Sequence, residues 1–105
     1  MERDRFDPDD LDPLNPFELD EANIPHLHKH GFTTDDLYDI WADPDAIYAP
    51  ARPDGFADRL LVGAVPGGLV LVVPLAPAAV PGKARPIGIY PAGLRLQAMY
   101  QENRR

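Results

Sequence analysis

The chain has 105 residues, 45% of them apolar, with 13 prolines, 8 glycines and no cysteine. That size and apolar content support one domain with a genuine core and exclude a wholly disordered chain. The lack of cysteine excludes a disulfide framework and a thiolate zinc site. The net charge of −7 is unevenly spread, with 14 Asp/Glu against 3 Lys/Arg in residues 1–45 and 3 against 7 in residues 46–105. An acidic front half therefore precedes a mildly basic rear half, a pattern of a polyanion-facing surface, of self-shielding by an acidic arm, or simply of a solvated tail.

Residues 1–16 mix aspartates with Pro8, Pro13 and Pro16 and show no period, so a flexible acidic arm is expected there, followed by one domain over 17–105. The N-terminus lacks the apolar run of a signal peptide. The aspartates between 7 and 12 lack the glycine and closing glutamate of a calcium loop. The first element is expected over Asn23 to His30, with Asn23 as N-cap and Pro25 in the first turn. It holds every histidine of the chain, in the stretch HLHKHGF. Gly31 then supplies a left-handed end, and the basic last turn suits the negative end of the helix dipole.

Thr33 and Asp36 are spaced as a capping box, with Phe32 and Leu37 as its staple, so a second helix starts at the corner and stops before Pro44. Its apolar stripe is Leu37, Ile40 and Trp41. From residue 46 the period changes to that of strands: Ile47 to Ala49, Leu60 to Val65, Leu69 to Leu75 and Arg85 to Tyr90. Pro66-Gly67-Gly68 makes a hairpin turn between the second and third, and ARPDGFAD at 51–58 is a loop. Pro86 places the last strand at an edge. The apolar run at 69–75 is a buried strand, too short to span a bilayer. A final helix runs from Pro91 to about Glu102. The order predicts an α+β domain: two short N-terminal helices, an antiparallel sheet of three to four strands, helices segregated beside it, and a C-terminal helix.

The chemistry narrows by elimination. The chain contains neither serine nor cysteine, which removes the usual hydroxyl and thiol nucleophiles. His26 and His30 share a helix face, but two imidazoles without a third ligand make no metal site, and none is expected. No phosphate-cradling glycine loop is present. What remains is acid–base chemistry or phosphate clamping by Lys29, His30, Arg59, Arg85 and Arg95, with Tyr90 and Tyr100 near the last strand and helix. Each has a plainer alternative: a helix end for Lys29 and His30, cross-strand ion pairing for Arg59 and Arg85, and edge-of-core packing for the tyrosines.

DEANIPHLHKHGFTTDDLYDIW resembles the opening of BrnT-type toxins, in which an Asn-containing helix ends in Lys/Arg-His-Gly before a second, acidic-capped helix. DRLLVGAVPGGLVLVV resembles the central hairpin of that family, and Arg85-Pro86-Ile87 with Tyr100 fits its last strand and helix. The resemblance covers about residues 17–102. It implies a RelE-like fold and a cytoplasmic, cofactor-independent endoribonuclease of a type II toxin–antitoxin pair, neutralised by a cognate antitoxin and associating as a homodimer or as a hetero-oligomer with it. On this likeness Lys29, His30, Arg59 and Arg85 are the catalytic candidates, and Arg95, Tyr90 and Tyr100 hold RNA. Where the family carries an Ala-Arg pair and a charged helix, this chain reads Ile89-Tyr90-Pro91 and GLRLQAMY. That departure opens a second reading: a catalytically inactive member of the fold that binds a protein partner.

Overall fold

The computed structural model describes residues 7–53 and 55–104. The first six residues of the expected arm, Asp54 of the 51–58 loop and Arg105 lie outside the described residues. The fold is α+β. Helices α1 (Ile24–His28) and α2 (Thr34–Ala42) precede strands β1 (Ile47–Pro50), β2 (Arg59–Ala64), β3 (Val70–Pro77), β4 (Ala84–Pro86) and β5 (Tyr90–Pro91), and α3 (Leu94–Arg104) closes the chain. The antiparallel sheet runs β1-β2-β3-β4, with β5 also paired to β3. Among the described residues, no helix is long and apolar enough to cross a membrane.

The pleat explains the layers, because alternate side chains of a strand leave on opposite faces. Leu61, Leu71, Val73 and Leu75 point to one face, where Leu27 of α1 and Leu37 and Ile40 of α2 cover them. Val62, Val70 and Val72 point to the other, where Ala92 and Tyr100 meet them. The helices are therefore not segregated to one side; α1 and α2 lie on one face and α3 on the other. Burying each large aliphatic side chain stabilises the fold by roughly 1.5–3 kcal/mol relative to leaving it in water.

The α1–α2 corner follows its local chemistry. Gly31 adopts φ +86°, a region that costs glycine nothing. The Thr33 amide donates to Asp36 Oδ2 at 2.8 Å, and the Asp36 amide donates back to Thr33 Oγ1 at 3.4 Å, which completes the capping box. Asn23 departs from expectation, since its side chain makes no cap bond to α1.

Two further departures have physical causes. The last strand is split, with β4 facing Leu75 to Pro77 and β5 facing Leu71 and Val72. The gap falls at Pro74, whose carbonyl accepts from the Ile87 amide at 2.9 Å. A strand residue presents N–H and C=O on the same side, so the donor that proline lacks is missing where the ladder breaks. The second departure is the arm, which is docked from Asp7 to Pro16 rather than flexible. Leu11 and Pro16 are buried, the Asp12 amide donates to Gly82 O at 2.8 Å, and Trp41 Nε1 donates to Pro13 O at 3.1 Å. Phe17 completes the closure, with edge-on contacts to Tyr38 and Trp41 at 5.4 and 5.7 Å.

Gly63 marks where α2 meets the sheet. A Cβ there would lie 2.9 Å from Ile40 Cγ2 and 3.1 Å from the Ile40 carbonyl, closer than core packing allows. Gly63→Ala should therefore lower stability by about 1–3 kcal/mol. A denaturation midpoint unchanged from wild type would show that α2 does not press on β2 as described.

Candidate functional site

Helix α3 packs Leu96, Met99 and Tyr100 on the sheet and is also tied to it by a polar contact. α2 ends before Pro44, which leaves Asp43 in extended backbone at its C-cap. From there Asp43 Oδ2 accepts the Ala64 amide at 2.8 Å and the Tyr100 hydroxyl at 2.6 Å, and Oδ1 accepts the Asp45 amide at 2.9 Å. Burial pushes the Asp43 carboxyl up, but those donors favour the carboxylate and leave it below its ordinary value. Burial, followed by the hydrogen bond to Asp43, pushes Tyr100 up to about 12. Arg104 adds an ion pair to Asp45 at 3.4 Å and stacks over the Tyr100 ring at 5.8 Å.

A second polar contact occupies the opposite sheet edge. Asn23, only 4% exposed, donates through Nδ2 to the carbonyls of Glu18 and Pro86 at 2.8 and 3.1 Å. Its Oδ1 accepts the Asp20 amide at 2.8 Å. Arg85 binds both oxygens of Asp20 at 2.8 and 2.9 Å and Glu18 Oε1 at 3.0 Å. The bidentate pair holds Asp20 well below the usual carboxylate range and raises the Arg85 guanidinium further. Arg85 is thus committed to structural carboxylates.

Between these two anchors, on the α3 face, lies a cavity of about 480 Å³. The loop after β1 supplies Arg52 and Phe56, the sheet supplies Leu60 and Tyr90, and α3 supplies Arg95, Leu96 and Met99. Apolar side chains dominate the lining, and no carboxylate occurs among its described residues. Burial pushes the Tyr90 hydroxyl up, with Arg52 acting in the opposite direction, so this guanidinium lies within electrostatic reach of the ring. Phe56 is 86% exposed.

The predicted site residues are dispersed. Arg95 and Tyr90 meet at this cavity. Arg59 lines a smaller cavity of about 290 Å³ with Tyr48 and Asp58, which shares Ala49 and Pro50 with the first. Lys29 and His30 are exposed at the end of α1, the helix that covers the other face. The Tyr100 hydroxyl is turned to Asp43 and is not presented to a ligand. Among the described residues, no three His, Asp or Glu side chains are grouped to hold a metal ion. Arg52 and Phe56 were missed, since a Pro/Gly-rich loop carries no periodicity to single them out. Comparisons with protein-family models, curated proteins and solved structures find no match.

The Asp43–Tyr100 contact has a pH signature. Asp43, lowered in the fold, contributes stability that is present above its ordinary value of 3.8 and is lost as pH falls below it. Tyr100, raised in the fold, contributes stability that is present below 10.0 and is lost as pH rises through about 12. Thermal melts of Tyr100→Phe should therefore be less stable than wild type at neutral pH and lose less between pH 10 and 12. Tyr48 and Tyr90, raised first by burial, should preserve part of the alkaline loss. Parallel curves for the two proteins would contradict the assignment.

Proposed function

We propose that this chain is a non-catalytic protein-binding module on a RelE-like scaffold, and that its partner docks at the cavity between the 51–57 loop and α3. The observation that carries this reading is the make-up of the cavity: a largely apolar hollow with two guanidiniums, those of Arg52 and Arg95. Concave apolar sites with a few convergent polar groups are the usual form of binding sites.

The BrnT-like segments support the choice of scaffold and make a cognate antitoxin the natural type of partner, with a cytoplasmic setting following from it. The ribonuclease reading has less support. In-line cleavage of RNA needs cationic and acid–base groups converging on one phosphate. Here Arg85 is engaged by Glu18 and Asp20, while Lys29 and His30 are exposed beyond α1 on the other side of the sheet.

Anilinonaphthalene sulfonate, an anionic apolar dye, tests the cavity. Wild type should enhance its fluorescence. Met99→Trp, which fills the hollow, should abolish the effect, and Arg52→Ala and Arg95→Ala should each weaken it. Near-UV circular dichroism must stay native, since loosened cores also bind this dye. Equal enhancement by all variants would overturn the proposed site. Cleavage of single-stranded RNA by wild type that is lost in His30→Ala would restore the ribonuclease.

A further inference from the structure

Resting on that cavity but going beyond a docked partner, we infer that the hollow takes a small amphipathic acid, a hydrocarbon tail ending in one carboxylate. The tail follows from the walls. Leu60 and Pro74 are paired across β2 and β3, and the Ile87 amide donates to the Pro74 carbonyl at 2.9 Å, so these three lining residues make one apolar floor. Leu96 and Met99, three residues apart on α3, form the wall beside it. The volume of about 480 Å³ is several times the roughly 150 Å³ that holds a benzene molecule. One aromatic ring, such as a partner's side chain would supply, therefore fills only part of it. A peptide backbone entering to fill the rest brings N–H and C=O groups that apolar walls do not satisfy. A hydrocarbon tail brings none.

The carboxylate follows from the arginines. Arg85 is engaged by Glu18 and Asp20, and Arg104 pairs with Asp45. Arg95, in the first turn of α3, forms no side-chain hydrogen bond or ion pair among the described residues. It is the only charged residue between Tyr90 and Gln101, so no neighbour on its helix face offsets it. The helix dipole adds positive potential at the same end. Arg52 lines the hollow from the loop and reaches the Tyr90 ring electrostatically. A carboxylate is thus held at the exposed rim by Arg95, through two N–H groups, with the tail laid along the floor.

Isothermal titration of the full chain with decanoate, decanol and decyltrimethylammonium tests the inference, beside the dye titration described above. Decanoate should bind and displace the dye. Decanol, with the same tail and no charge, should bind roughly tenfold more weakly, and decyltrimethylammonium more weakly still. Arg95→Ala should bring decanoate down to the affinity of decanol and leave decanol unchanged, which separates a lost charge from a lost fold. Met99→Trp should remove the binding of both. Equal binding of decanoate and decanol, or decanoate binding unchanged in either variant, would overturn the inference. If the dye binds and decanoate neither binds nor displaces it, the acid is wrong and the cavity stands. If the dye itself fails, the cavity reading falls.

Discussion

The cavity forms where α3 meets the sheet, and Asp43 is the polar tie between them. Three donors from three parts of the chain converge on its carboxylate: the Ala64 amide at the end of β2, the Asp45 amide in the turn before β1, and the Tyr100 hydroxyl on α3. Such a group costs free energy to bury unless it is satisfied, and removing one donor leaves the others around a partly orphaned charge. The contact therefore does more than add a hydrogen bond. It ties the end of α2, the edge of the sheet and the C-terminal helix into one geometry.

That dependence follows from the amino-acid composition of α3. Tyr100 is the only buried residue along its length, and Leu94 is exposed. Leu96 and Met99 are only partly buried where they pack on the sheet, so α3 gains less from the hydrophobic term that anchors α1 and α2. Polar contacts compensate: Tyr100 with Asp43, Arg104 with Asp45, and Asn103 Nδ2 donating to the Asp45 carbonyl at 3.0 Å. Leu96 and Met99, half-buried against the same layer as Tyr100, line the hollow beside it.

Much of the architecture was legible because local chemistry agreed with the final fold. The Gly31 corner, the Thr33–Asp36 capping box and the Pro66-Gly67-Gly68 hairpin each announce themselves through residues with narrow conformational uses. The docked segment from Asp7 to Pro16 was not legible, since it is held by single long-range contacts at Leu11, Pro13 and Pro16 that leave no period. Nor was the split of the last strand, which is dictated by Pro74 on the neighbouring strand. The site fared worse than the fold. Arginine and tyrosine positions reveal charge and ring chemistry but not their partners. Arg85 therefore read as a candidate for phosphate binding, although Glu18 and Asp20, more than sixty residues earlier, engage it. Arg52 and Phe56 gained significance only when the loop bearing them was seen to face α3.

Amide hydrogen exchange on wild type and Asp43→Asn tests the dependence of α3 on this carboxylate most directly. Substitution should accelerate exchange of the Gln97 to Gln101 amides by a large factor, while the amides of the central β2–β3 ladder keep most of their protection. Dye binding at the cavity should be lost in parallel. Unchanged protection of α3 in Asp43→Asn would contradict the account, because the helix would then be held by something other than the carboxylate that the structure places beneath it.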